Sequence, residues 1–117
     1  MNYTKEYCEE LLQKVIDDLD EQRGGIYYDK ETPFEAYYCE NDKNLYSEEI
    51  IKHAWRVYAE VPKEEFWLGG RIIIHVDDDT GEALTFVNTA LGGRPLFLPL
   101  KINENGNYYI PKEVLPS

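Results

Sequence analysis

The sequence predicts a single α+β domain, residues 1–117, in which two helices pack on one face of a curved antiparallel sheet of four to six strands. Two stretches carry apolar residues at helical spacing, and short β-prone runs separated by turn residues fill the second half. Hydrophobic residues make up 43% of the chain and charged residues 30%, which excludes a typical disordered protein.

The first helix is predicted over residues 4–21, because its apolar residues recur every three to four positions. Thr4 is a suitable N-cap, and Gly24-Gly25 provides a stop. The stripe also predicts that Cys8 is a buried thiol. The sequence leaves open a disulfide between Cys8 and Cys39, although a cytosolic setting disfavours one. The stripe consists of Cys8, Leu11, Leu12, Val15, Ile16 and Leu19.

The segment 26–46 is β-prone in composition, and its strand boundaries are uncertain. The pairs Tyr27-Tyr28 and Tyr37-Tyr38 lie on either side of a turn-forming stretch at residues 29–33. Neighbouring residues of a strand face opposite sides, so one ring of each pair should be exposed or lie in a groove. Exposed tyrosines are favoured in interfaces, which makes Tyr28, Tyr37 and Tyr38 candidate partner-binding residues. The alternative is that these rings pack around the rim of a small core.

A second helix is predicted over residues 48–60. Ser47 is placed to cap it, Glu48 and Glu49 fall in its first turn, and Pro62 ends it. Its apolar stripe consists of Ile50, Ala54, Val57, Tyr58 and Val61, with His53 and Trp55 away from the centre of the stripe.

The second half of the chain predicts an antiparallel meander. Pro99 indicates an edge strand or a bulge, and residues 103–106 form a strong turn. The diglycine pairs at 69–70 and 92–93 are interpreted as hinges or bulges that bend the sheet. The predicted strands cover residues 71–76, 82–87, 96–102 and 107–110.

The densest charge cluster is the run DDDTGE at residues 77–82. A calcium loop of the EF-hand type that began at Asp77 would need a bidentate glutamate at its twelfth position, where Asn88 stands. We therefore expect no metal and interpret the run as a solvated hairpin turn or an acidic protein-binding knob. On the second interpretation the candidate partner-binding residues are Asp77, Asp78, Asp79 and Glu82.

No catalytic residue is predicted. His75 could pair with an aspartate for acid–base chemistry, but the sequence offers no clear nucleophile or second base beside it. Neither diglycine matches a phosphate-binding motif, and the two cysteines lack zinc-site spacing, so no cofactor is expected. The N-terminus lacks the pattern of a signal peptide and the longest apolar run is 72–74, so we expect a cytoplasmic protein with no membrane partner.

The charge balance favours a basic protein as the partner. Twelve basic residues against 23 acidic ones give a formal net charge of −11, which disfavours direct nucleic-acid binding. Complementary charge speeds association, and aromatic anchors supply much of the affinity of an interface. Trp67 is the best single anchor candidate, with a tryptophan of the core or the sheet edge as the alternative.

The stretch IIKHAWRVY at residues 50–58, Trp67-Leu68-Gly69-Gly70, and the hairpin residues 72–76 and 79–84 resemble small NTF2-like immunity proteins of bacterial polymorphic toxin systems. The resemblance covers residues 47–87 and implies an NTF2-like or cystatin-like fold. It also implies a non-enzymatic inhibitor that binds a cognate toxin domain, often a nuclease. The hairpin is also similar to the end of a PepSY-type domain.

Two alternatives stay open. An NTF2-like cone between helix and sheet would offer a small-ligand or catalytic pocket lined by Trp55, Tyr58, Trp67 and His75. An acidic nucleic-acid mimic from a mobile element would need carboxylates spaced along one surface like phosphates.

Overall fold

The computed structural model describes residues 1–24, 26–62, 69–90 and 95–114. In these residues one α-helix packs on a five-stranded antiparallel sheet, and a two-stranded hairpin follows, which confirms the predicted α+β class. The elements in chain order are α1 (Lys5–Arg23), β1 (Glu35–Lys43), β2 (Ile50–Val61), β3 (Gly70–Asp77), β4 (Ala83–Asn88), β5 (Leu96–Pro99), β6 (Lys101–Ile102), β7 (Tyr108–Tyr109) and a 3-10 turn (Lys112–Val114).

Helix α1 confirms the first predicted helix and extends two residues further. The Thr4 hydroxyl accepts a hydrogen bond from the Tyr7 N–H at 3.0 Å, and Gly24 ends the helix with a φ of 73°. All six residues of the predicted stripe are buried. Cys8 and Cys39 are free thiols, and burial, helped by Asp78 and Glu9, raises the pKa of Cys8 to about 12. No helix in the described residues is long and apolar enough to cross a membrane.

The sheet has the strand order β1-β2-β3-β4-β5, with every neighbouring pair antiparallel. Its near face packs against α1 and holds the main core. The far face is the side turned away from α1, and it carries the alternate residues of each strand. Core residues of the near face include Trp55, Val57, Ala59, Ile72, Ile74, Val76, Phe86 and Leu98.

The predicted second helix is wrong, because residues 50–61 form the central strand β2. Its apolar residues satisfy helical spacing and strand alternation equally well, so their period does not separate the two structures. Residues 50–58 of β2 pair with β1 and residues 54–61 pair with β3, so long-range pairing decides the outcome. Ser47 lies in the preceding loop, where its hydroxyl accepts a hydrogen bond from Glu49 N–H at 3.3 Å.

The predicted strands 71–76 and 82–87 are confirmed: β3 is one residue longer at each end, and β4 begins and ends one residue later. The prediction that the four strands of the second half form one meander is wrong, because the sheet contains a different set of strands. The sheet includes β1 and β2, and the run 96–102 divides at Leu100 into β5 and β6. Pro99 lies on β5, an edge strand of the described sheet, as its missing N–H requires. The second diglycine, residues 92–93, lies outside the described residues.

Candidate protein-binding surface

The acidic run forms a tight hydrogen-bonded turn between β3 and β4. Asp77 N–H donates to the Glu82 carbonyl at 3.0 Å, and Gly81 N–H donates to the Asp77 carbonyl at 2.7 Å. An Asp77 carboxylate oxygen also accepts from Asp79 N–H at 2.8 Å. The turn leaves Asp79 and Glu82 exposed and Asp77 half-buried. The carboxylates at this turn are therefore held on a backbone of defined geometry.

Asp78 differs from its neighbours because only 1% of its surface is exposed. Its carboxylate accepts hydrogen bonds from Trp55 Nε1 at 2.9 Å, Asn2 N–H at 2.7 Å and Tyr3 N–H at 3.1 Å. Burial is the largest effect on its pKa and raises it, but these donors and the N-terminal ammonium together lower the pKa below its ordinary value. The expectation that Asp78 contacts a partner is wrong, because this carboxylate anchors the N-terminal segment to β2.

Two tyrosines fasten the turn to the start of α1. Tyr7 OH donates to the Gly81 carbonyl at 2.6 Å, and Tyr3 OH donates to the Thr80 carbonyl at 3.2 Å. The two rings lie against each other, with centroids 4.6 Å apart. The turn and the first helical turns therefore form one continuous surface.

We define the acidic surface as Glu10, Asp77, Asp79 and Glu82. Glu10 and Glu82 line the same groove, and Asp77 and Asp79 belong to the adjoining turn. Within the described residues no lysine or arginine forms a salt bridge with any of these four carboxylates. The acidic surface therefore carries negative charge that no cation in the described part of the chain neutralises through a salt bridge.

The groove has a volume of about 370 Å³ and lies between α1, the β3–β4 turn and the β6–β7 hairpin. Tyr7 and Ile102 are its exposed apolar residues, at 36% and 40% exposure, and Leu11 and Tyr108 lie buried beneath them. Tyr108 also accepts a hydrogen bond from Ala83 N–H at 3.0 Å, which ties the hairpin to β4. The groove therefore combines an apolar floor with carboxylates at its side.

The tyrosines predicted to bind a partner are distributed over three places. Tyr38 packs edge-on against Trp55 at 5.5 Å, beside Asp78. Tyr37 is 51% exposed on the far face, where its ring lies 5.6 Å from Tyr58. Tyr28 is half-buried and bonded to Gln13. The structure thus brings Tyr38 near the acidic turn and leaves Tyr37 and Tyr28 elsewhere, while Trp67 lies outside the described residues.

The residues of the alternative pocket do not converge. Trp55 is buried between the sheet and α1, whereas Tyr58 and His75 lie on the far face. The single pocket that would contain all three is therefore wrong, because alternation along β2 sends Trp55 and Tyr58 to opposite sides.

The far face holds a buried polar cluster in which His75 pairs with an aspartate, Asp42, that no sequence motif singles out. The Asp42 carboxylate binds Arg56 through two contacts of 2.9 Å and lies 3.2 Å from His75 Nδ1. His75 is fully buried, and its Nε2 has no hydrogen-bond partner in the described residues. Burial and Arg56 lower the pKa of His75, and Asp42 opposes this.

This cluster adjoins the loop between β1 and β2. Thr85 donates its hydroxyl hydrogen to Asn44 Oδ1 at 2.7 Å, and the same oxygen accepts from Tyr46 N–H. Asn41 has a φ of 53° and interrupts the extended backbone just before Asp42. Strand alternation therefore does not predict where Asp42 points, and no sequence signal links it to His75.

No set of three or more metal-ligating side chains occurs in the part of the chain that the structure describes. Comparison of the chain with protein families, curated proteins and solved structures finds no match.

Proposed function

We propose that this protein is a binding protein that neutralises a basic protein partner, and that it acts as an immunity protein against a toxin domain such as a nuclease. The observation that carries the proposal is the acidic surface, four carboxylates on a fixed turn and helix with no cationic partner among the described residues. The net charge of −11 adds a long-range field of the same sign.

Electrostatic complementarity explains how such a surface would act. A negative patch steers a basic partner during diffusion and raises the association rate, whereas a rigid scaffold limits the entropy lost on binding. The fixed turn supports this, because its backbone hydrogen bonds and the Tyr7 contact exist before any partner arrives.

The NTF2-like or cystatin-like assignment belongs to the same proposal. It is supported by a helix packed on one face of a five-stranded antiparallel sheet. The stretch 50–58, which the resemblance matches to a helix of the family, does not add support because it is part of strand β2.

The test is co-expression with the toxin candidate encoded beside this protein's gene, with growth rescue and a 1:1 complex as the expected results. Asp79→Lys should then lower the association rate constant about tenfold and leave the urea unfolding midpoint unchanged, because Asp79 is exposed. Glu31→Lys is the matched control, since it makes the same charge change in an exposed loop. Equal slowing by both variants would assign the effect to net charge, and absence of rescue and complex would reject the proposed function.

A further inference from the structure

The groove beside the acidic turn combines exposed apolar residues with carboxylates, as sites that bind peptides do. Its exposed apolar residues, Tyr7 and Ile102, belong to different elements, α1 and β6, so the groove spans two parts of the fold. A volume of about 370 Å³ lies at the lower end of the range for sites that hold small ligands or a few side chains. The groove therefore offers room for a short segment.

The groove is lined by charged side chains of both signs. Glu10 and Glu82 have exposed carboxylates without a salt bridge in the described part of the chain. Lys14 also lines the groove, but its ammonium is 3.0 Å from Asp18 and 3.5 Å from the Asn107 side chain. Among the described residues that line the groove, Lys14 is the cation and is already paired, whereas the carboxylates of Glu10 and Glu82 are not.

We infer that this groove binds a segment of the basic partner in which a lysine or arginine lies next to an aliphatic residue. The inference rests on the proposed function and adds the chemistry of the contact. The aliphatic stem of the cation would cover Tyr7 and Ile102 while its charged head pairs with Glu10 and Glu82. The neighbouring aliphatic side chain would fill the remaining apolar floor above Leu11.

The structure favours such a segment over a purely cationic one. Cations alone gain little at an exposed surface, since solvent and salt screen the attraction. Exposed apolar area in the groove supplies a second contribution that salt does not weaken, and Ile102 is 40% exposed there. Only a ligand that carries a cation and an aliphatic side chain gains both the electrostatic and the apolar contribution.

The test uses three fluorescein-labelled peptides of equal length, with alternating Lys and Leu, alternating Lys and Ser, or alternating Glu and Leu. In fluorescence polarisation, the Kd of the Lys/Leu peptide should be at least about tenfold lower than the Kd of either control peptide. Amide chemical shifts of the labelled protein should change around Tyr7, Leu11, Ile102 and Gly106. Shifts confined to another surface would overturn the inference.

Substitutions separate the two contributions. Ile102→Ser should weaken the Lys/Leu peptide about fivefold, and Glu10→Gln with Glu82→Gln should weaken it about tenfold. The matched controls are Ile50→Ser, which alters a residue 61% exposed on β2, and Glu31→Gln with Glu113→Gln, which removes two exposed charges elsewhere.

Failure of the inference is distinguishable from failure of the proposed function. If the toxin domain binds and both Asp79→Lys and the double variant slow its association while Ile102→Ser has no effect, the acidic surface steers a partner that does not enter the groove. If the peptide binds in the groove but no toxin partner forms a complex, the proposed function fails instead.

Discussion

At the scale of single residues, Gly81 determines how the acidic turn meets the helix. Its φ is 75°, and a Cβ atom built there would lie 2.5 Å from Cζ of Tyr3. Only glycine combines this backbone conformation with the close approach of a ring. The absence of a side chain at Gly81 therefore lets the Tyr3 ring lie against the turn.

We expect Gly81→Ala to lower the free energy of unfolding by about 2 kcal/mol, because the new methyl group displaces the far end of the Tyr3 side chain in addition to the strain of positive φ. Gly106→Ala is the matched control, since Gly106 has a φ of 81° and nothing within 4 Å of its Cβ position. That variant should lose only about 1 kcal/mol, from backbone strain alone. Urea denaturation measures both, and equal losses would show that the Tyr3 contact contributes nothing.

Adjacent aspartates have opposite roles in the same turn. Asp78 accepts three hydrogen bonds in the interior, whereas Asp79 points to solvent. The sequence run DDD does not distinguish them, because the donors to Asp78 come from positions more than 20 residues away. Substitution of Asp79 therefore tests binding, whereas substitution of Asp78 would test stability.

At the scale of elements, the β1–β2 hairpin makes polar contacts across the far face of the sheet. Asp42 near the end of β1 bonds to Arg56 on β2 and His75 on β3, and Asn44 in the following loop bonds to Thr85 on β4. The hairpin thus links four strands through polar contacts. Arg56 and Asp42 are the charged groups that face His75, and Thr85 is its uncharged neighbour on β4.

This arrangement predicts that acidification destabilises the fold. The pKa of His75 is lowered in the folded protein, so the unfolded chain binds the proton more readily. Stability should therefore be full above about pH 6.5, the unfolded value, and fall as the pH drops below it towards the folded pKa. A proton on the buried Nε2 would also lack an acceptor among the described residues.

Urea unfolding at about pH 7.5, pH 6.5 and pH 5.5 measures this dependence. His75→Asn retains a donor for Asp42 and removes the titrating ring, so the decline over this range should shrink in that variant. His53→Gln, at a half-buried histidine bonded to Tyr38, is the control and should keep the decline. An unchanged slope in His75→Asn would assign the acid sensitivity to other groups.

At the scale of the whole molecule, the net charge of −11 acts on stability and on binding in opposite directions. Like charges repel one another in the compact state, and salt screens that repulsion. Salt equally screens the attraction to a basic partner. The same change in ionic strength should therefore stabilise the free protein and slow its association.

Raising NaCl from about 0.02 M to about 0.2 M should raise the Tm by roughly 2–5 °C. Over the same range the association rate constant for the basic partner should fall about tenfold. Thermal unfolding and stopped-flow mixing measure the two effects. A Tm that falls with salt would show that favourable ion pairs, such as Asp42–Arg56, outweigh the general repulsion.

Local sequence signals determine α1, β3, β4 and the turns that join the last strands. The Thr4 cap, the stripe from Cys8 to Leu19 and the stop at Gly24 all act within one helix, so their effect can be read without the rest of the chain. The acidity of the protein and the exposed position of Asp79 and Glu82 in a turn also follow from the sequence.

Tertiary structure alone decides the state of residues 50–61, the burial of Asp78 and the contact of Asp42 with His75. Helix and strand were both compatible with the apolar spacing of β2, and its hydrogen bonds to β1 and β3 favoured the strand. Asp78 and Asp42 are placed by donors on other strands and at the N-terminus. The physical reason is common to all three: partners distant in sequence supply the hydrogen bonds, and a local pattern does not encode which distant groups will meet.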